Sequence, residues 1–207
     1  MDGFRRTIEA ASTQELSAAY ARWAADYDRD TLAMGYCLPW LVSAFLARHV
    51  ERGAGPLLDV GCGTGLAGPA LAALGYDRID GLDLSEEMLA IAASRGTYRE
   101  LHNLALGRPL PWADGHFAAV FSAGVFGEGH ASADAFDELV RITRPGGALI
   151  FTVRESHYEP GGFARKFAGL TAEGAWQCLE QSPAFREYLH AQPEMMARAW
   201  AFRRAEA

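Results

Sequence analysis

The spacing of apolar positions along the chain changes character near Pro56. Before it, the pattern is helical. "STQE" at Ser12–Glu15 has capping-box spacing, and Pro39 is placed to open a second helix running through "WLVSAFLARHV". After it, short apolar runs alternate with longer amphipathic ones: "LLDV", a helix to about Leu74, "RIDGLDL", a helix through "SEEMLAIAASR" with Ser85 as its cap, and then "YRELHNL". A polar loop follows, then "FAAVFSA", a helix through "DAFDELVRI", a turn at "RPGG", and "ALIFTV". Beyond Arg154 the periodicity weakens, and "WQCLEQ" and "MARAWAF" are each expected as a late strand. Strands alternating with helices predict a doubly wound α/β domain whose parallel sheet binds ligands at the carboxyl ends of its strands. Residues 1–52 are expected to form a helical cap belonging to the same domain, and residues 53–207 its core.

Composition narrows the classes of function. The 207 residues are half hydrophobic and carry a formal charge of −7, with no basic stripe to track a phosphate backbone, so a nucleic-acid partner is not expected. Arg203 and Arg204 near the end read as a solvated tail. Cys37, Cys62 and Cys178 are widely spaced and odd in number, and they lack metal-ligand spacing. They are expected to be reduced, buried thiols in a cytoplasmic protein, with no metal site. No apolar run has the form of a signal peptide or the length of a membrane span.

The chemistry concentrates in "LLDVGCGTGLAG", Leu57–Gly68, where glycines at 61, 63, 65 and 68 follow a strand that carries Asp59. A strand, a glycine-rich turn and a helix start offer free backbone donors to a ligand pressed against the chain. "GTGLAG" matches the dinucleotide pattern G-x-G-x-x-G, yet no Lys or Arg lies between Gly53 and Asp77 to help neutralise a pyrophosphate, and Asp59 would repel one. S-adenosylmethionine, which carries an ammonium and a sulfonium and no phosphate, removes both objections. Asp59 is then expected to reach the ammonium directly or through water, and Asp83 to accept from both ribose hydroxyls. Leu84 and Met88 supply apolar walls for adenine, while Gly61, Cys62 and Gly63 form the loop surface.

"LLDVGCGTG", "IDGLDLSEEML", "PLPWADGHFAAVFSAGVF" and "ELVRITRPGGALIFTVR" resemble, in order, the successive motifs of class I S-adenosylmethionine-dependent methyltransferases over Leu57–Arg154. The fuller pattern, with "GYCLP", "GVFGEGH" and "FTVRESHY", is similar to the Williams-Beuren syndrome region methyltransferase-like group. The resemblance implies a Rossmann-like sheet of seven strands, mostly parallel with the last antiparallel, and "MARAWAF" is the expected last strand. Two positions depart from the family pattern. Asn103 stands where an acid commonly accepts from the adenine amino group, with the Leu104 amide beside it to donate to the ring, and Ala118 stands where an acid usually follows Phe117.

Methyl transfer from a sulfonium is an in-line displacement, so the protein chiefly aligns the reactants and excludes water. The segment Ser122–His130 is expected to face the acceptor, with Ser122 near the cofactor. Glu128 and His130 are the first acid/base candidates, followed by Tyr158 and His157. Tyr27 and Tyr36 are expected from the cap as aromatic contacts, and Trp112 and Trp176 as packing. A short cap on an acidic protein suits a small-molecule methyl acceptor, with no membrane partner. Two other functions stay open at this point: a domain that holds S-adenosylmethionine without turnover and acts through a partner, and a nicotinamide-dependent dehydrogenase.

Overall fold

The structure is a computed structural model and describes residues 2–10 and 12–206. In chain order its elements are helices α1 (Asp2–Glu9), α2 (Thr13–Ala33) and α3 (Leu38–His49), then β1 (Leu57–Val60), α4 (Gly68–Ala73), β2 (Ile79–Asp83), α5 (Glu86–Ser94) and β3 (Glu100–Asn103). There follow β4 (Phe117–Phe126), α6 (Ala135–Ile142), β5 (Thr143–Arg154), α7 (Glu155–Tyr158), α8 (Phe163–Ala172), β6 (Trp176–Gln181), β7 (Phe185–Arg186) and β8 (Met196–Arg204). The sheet runs β3-β2-β1-β4-β5-β8-β6. Its first five strands are parallel, and β8 lies antiparallel between β5 and β6. The expected seven-stranded Rossmann-like sheet is therefore present, with the two-residue β7 as an eighth strand on β8.

Local chemistry accounts for most boundaries. The Ser12 hydroxyl accepts from the Glu15 amide at 3.2 Å and starts α2, Pro39 lies in the first turn of α3, and the Ser85 hydroxyl accepts from the Met88 amide at 3.2 Å to start α5. The "RPGG" turn is a bulge within β5. Phe117 pairs with Thr143 and Ala119 with Ala148, so residues 144–147 loop out opposite Ala118 without ending the strand.

Each face of the sheet has its own core. On one side α6 and α8 bring Phe136 and Phe167 against Phe151, Trp176, Trp200 and Phe202 in a continuous aromatic cluster. On the other, α3 lays Val42, Phe45 and Leu46 over β4, β5 and β8. The second helix expected in the cap is thus a layer of the sandwich. What covers the strand ends is α1 and α2, joined by a third cluster of Phe4, Trp23, Tyr36 and Tyr188. Trp112 and Trp176 pack as expected, the former against His102 and Phe117.

Two expectations from composition change. Arg203 and Arg204 end β8, where Arg203 donates to Gly146 and Arg204 to the carbonyls of Arg141 and Thr143, because the last strand extends farther than the apolar run shows. Of the three free cysteines only Cys62 is buried, Cys178 being exposed on the outer strand β6. Among the described residues no helix is long and apolar enough to cross a membrane.

Candidate functional site

A cavity of about 340 Å³ opens at the carboxyl ends of β1, β2 and β4, roofed by α2. Its floor is the glycine loop. Gly61 has φ +67°, and a Cβ there would lie 2.1 Å from Val125 Cγ2. Gly63 has φ +54°, and a Cβ there would project into open space beside the cavity that this residue lines. Both conformations favour glycine, and the bare backbone at Gly63 lets a flat ligand touch the chain.

Asp83 closes β2 with both carboxylate oxygens engaged. Oδ2 accepts from the Gly63 amide and Oδ1 from the Ser85 amide, each at 2.9 Å. Burial pushes its pKa up, and the amides pull it back. An ionised carboxylate has about four acceptor sites, so this geometry leaves capacity for ribose hydroxyls. Leu84 and Met88 line the same end of the cavity, beside Leu104 and Leu106.

Asp59 sits beneath the loop, 2 % exposed, and accepts the Tyr98 hydroxyl at 2.7 Å. Burial raises its carboxyl to about 7, with Tyr98 opposing and the nearby Asp83 charge adding. It borders a small side pocket of about 40 Å³ together with Cys62, Tyr27 and Tyr36. The Cys62 thiol is buried and faces Gly81, where a Cβ would lie 2.9 Å from its sulfur, and burial pushes its pKa up.

Three residues expected on the cofactor side already make hydrogen bonds within the protein. The Leu104 amide donates to the Asp83 carbonyl at 3.2 Å and is not free for an adenine ring, although the residue lines the cavity as expected. Asn103 is not among the residues lining the cavity; its amide nitrogen donates to the carbonyls of Asp83 and Leu84 at 3.1 and 2.9 Å, which leaves the side-chain oxygen able to accept. Ser122 points away from the cavity and donates to the Val60 carbonyl at 2.8 Å, tying β4 to β1.

The other end of the cavity belongs to His130. Its Nδ1 lies 2.8 Å from the Glu128 carbonyl, which can only accept, so Nδ1 carries the hydrogen. Nε2 is then the accepting nitrogen of the neutral ring, and the Tyr20 hydroxyl donates to it at 2.9 Å. Burial lowers the His130 pKa, the Glu128 carbonyl opposes this, and Arg154 and His157 lower it further. Glu128 itself contributes that carbonyl while its carboxylate is exposed outside the cavity, which removes it as an acid or base. Tyr158 is corrected too: the single turn of α7 after β5 stacks its ring on Trp200, centroids 5.2 Å apart, away from the cavity. Tyr27 and Tyr36 both line the cavity.

Several residues of the site were not foreseen. Tyr20 shares with Tyr27 an i, i+7 face of α2, a helical spacing that marks them as neighbours without revealing what they face. Arg154 at the end of β5 forms a bidentate pair with the buried Glu187, both contacts at 3.0 Å, close enough to act electrostatically on Tyr20 and His130. Asp28 joins Thr64 of the loop to Arg95 at the end of α5. One group of possible metal ligands occurs among the described residues, Asp80, Glu100 and His102, but both Asp80 oxygens are held by Arg99 at 2.9 and 2.6 Å.

The donor set fits S-adenosylmethionine. It offers a glycine surface, a carboxylate with spare acceptor sites, a second buried carboxylate and apolar walls. No Lys or Arg is among the residues lining the cavity, which leaves a pyrophosphate without a counter-charge.

Comparisons with known proteins agree. Residues 58–151 match the methyltransferase domain family. Methyltransferase-like protein 27 of Homo sapiens is 38 % identical over 141 residues, 65 % of this chain and 56 % of that protein. Demethylmenaquinone methyltransferase of Chlorobaculum parvum is 34 % identical over 147 residues, 68 % of this chain and 60 % of that protein. The chain thus spans roughly half to two-thirds of the length of these curated relatives. Among solved structures, a Haloferax volcanii protein in complex with the Trm112 methyltransferase activator superposes with a TM-score of 0.68 at 18 % identity, over 91 % of this chain and 96 % of that one. Geranyl diphosphate methyltransferase in complex with GPP and sinefungin gives 0.58 at 15 % identity, over 80 % and 78 %. These two likenesses show the fold. With the glycine-loop geometry, these matches make residues 58–151 a methyltransferase domain similar to those of class I S-adenosylmethionine-dependent methyltransferases.

Proposed function

We propose that the chain transfers a methyl group from S-adenosylmethionine to a small, uncharged molecule. One observation carries this reading: a single cavity has the Gly63–Asp83 cradle at one end and the Tyr20–His130 pair at the other, with no cationic side chain lining it. The cofactor, when bound, supplies an electrophilic methyl group on a sulfonium for in-line displacement. Asp83 would hold the ribose, Leu84 and Met88 the adenine, and Gly61, Gly63 and Asp59 the amino-acid end, with Cys62 and Tyr27 packed alongside. An acceptor lies beneath α2 against Tyr20, Tyr36 and His130. Arg154, the cation near that end, is already paired with Glu187, so a carboxylate or phosphate acceptor would be desolvated there without a free counter-charge, at a cost of several kcal/mol. We further read the acidic chain with three free thiols as cytoplasmic.

The test is a screen of small phenols, amines, thiols and carboxylic acids with detection of S-adenosylhomocysteine, alongside calorimetry of cofactor binding. Turnover is expected with a neutral acceptor. His130→Ala should leave S-adenosylhomocysteine affinity nearly intact and lower turnover roughly a hundredfold, the scale of a lost general base. Saturable cofactor binding with no turnover on any acceptor would favour a binding module instead.

A further inference from the structure

We propose that Tyr20, carried by the cap helix α2, is a catalytic residue of this site, relaying the acceptor's proton to His130. The proposal rests on the methyltransferase reading above and adds a residue and an acceptor class to it. Because Nδ1 of His130 donates to the Glu128 carbonyl at 2.8 Å, the neutral ring has one basic nitrogen, Nε2. That nitrogen already accepts the Tyr20 hydroxyl at 2.9 Å. Both side chains line the cavity, so with α2 in place an acceptor meets the base through the tyrosine oxygen. An acceptor hydroxyl that donates to Tyr20 Oη completes a chain of hydrogen bonds ending on Nε2.

The surroundings fit a relay better than a tyrosine base. Burial, with the Asp83 charge adding to it, holds the Tyr20 phenol well above its ordinary pKa, so it does not ionise alone. His130 is held neutral and able to accept. The charged and titratable groups acting on the pair are Asp83 of β2, Arg154 of β5 with its partner Glu187, His157 of α7 and the buried phenols of Tyr27, Tyr36 and Tyr188, while the Thr7 side chain of α1 hydrogen-bonds Tyr20. Arg154 acts on the tyrosine oxygen in the sense that stabilises negative charge there, and its ion-pair partner Glu187 acts in the opposite sense. In the transfer the acceptor oxygen gains the methyl carbon and loses its proton to Tyr20, whose own proton moves to Nε2, and the positive charge lost from the cofactor sulfur reappears on the imidazolium. The imidazolium then releases its proton to solvent. A relay of this kind serves an acceptor with a weakly acidic hydroxyl, such as a phenol, and adds little for one already ionised in solution.

Two readouts besides turnover test it. The first follows the His130 ring nitrogens by ¹⁵N NMR in the free protein across pH. Tyr20→Phe removes the donor that favours the neutral ring, so the midpoint should rise by up to roughly one pH unit, the size of one net hydrogen bond. An unmoved midpoint overturns the pair. The second adds 4-nitrophenol, whose ionised form is coloured, to protein saturated with S-adenosylhomocysteine at a pH where the free probe is neutral. The neutral probe should bind by donating to Tyr20 Oη, and its affinity, read from the absorbance shift on binding, should fall roughly three- to tenfold in Tyr20→Phe and in His130→Gln, the size of one net hydrogen bond. Unchanged affinity in both variants, or no binding to the wild type, overturns the relay. Calorimetry of S-adenosylhomocysteine separates the two levels: intact binding with a failed relay leaves the methyltransferase reading standing, and absent binding brings down both.

Discussion

Asp28 of the cap helix accepts the Thr64 hydroxyl of the glycine loop at 2.5 Å and with its other oxygen holds Arg95 of α5, whose Nε also donates to the Thr64 carbonyl at 2.5 Å. The roof of the cavity is thereby fastened to two parts of its floor. Ser17 adds a weaker contact, donating to the Leu84 carbonyl at 3.4 Å. Since α2 also carries Tyr20 and Tyr27, the latch sets when the acceptor end is complete.

Asp28→Ala is therefore expected to loosen α2 without unfolding the sheet. Charge-assisted hydrogen bonds contribute about 1.5–3 kcal/mol each, and partial solvent exposure of the pair reduces that, so a net loss of about 1–2 kcal/mol is expected. This corresponds to roughly tenfold faster amide exchange in residues 13–33 and a similarly faster release of S-adenosylhomocysteine. Hydrogen-exchange mass spectrometry reads the first and stopped-flow the second. Unchanged exchange across α2 would show that the apolar cluster around Trp23 holds the cap by itself.

At Asp83 one substitution should separate into two measurable losses. Asp83→Ala removes the acceptors proposed for the ribose, and the S-adenosylhomocysteine affinity should fall more than tenfold, given about 1.5–3 kcal/mol for each charge-assisted bond. It also leaves the Gly63 and Ser85 amides without their partner, a further stability cost of about 1–3 kcal/mol for each that stays dry. Asp83→Asn keeps one accepting oxygen and should fall between the two on both scales. Calorimetry and thermal unfolding measure them, and an Asp83→Ala protein with wild-type affinity would move the ribose elsewhere.

What the sequence made legible followed from local rules. Gly63, Asp83, Leu84 and Met88 lie where the loop, the strand end and the next helix must place them, each set by neighbours within a few residues. The hydrogen bonds of Ser122, Asn103 and Leu104 were not legible for a different reason: each donates across strands to a backbone carbonyl, and such pairing depends on register, which no single strand encodes. Tyr158 was misplaced because the chain continues from β5 into one helical turn, where its ring stacks on Trp200. Tyr20 and Asp28 were missed because their partners, His130 and Thr64, lie 110 and 36 residues away, and only the docking of α2 over the sheet brings them together.

The last prediction concerns Asp59, whose carboxyl is raised by burial from an ordinary value of 3.8 to about 7. A raised acid binds its proton more tightly in the folded than in the unfolded chain, so its contribution to stability is whole below about pH 4 and is lost as pH rises toward about 7. At about 1.4 kcal/mol per pH unit the loss is on the order of 4 kcal/mol, constant above that range. Asp83, raised in the same direction, adds to the trend, whereas Asp30 and Glu138, both lowered, oppose it, so wild type is best compared with a single variant. Asp59→Asn keeps an oxygen for the Tyr98 hydroxyl and cannot ionise. Its stability relative to wild type, from denaturant unfolding, should therefore improve steadily between about pH 4 and pH 7 and then level off. The same carboxyl should report its ligand. If Asp59 faces the ammonium group of the cofactor, binding S-adenosylhomocysteine near pH 7 stabilises the ionised form and expels a fraction of a proton. Calorimetry in two buffers of different ionisation enthalpy detects that release. It should be absent in Asp59→Asn, and equal release by both proteins would place the ammonium away from Asp59.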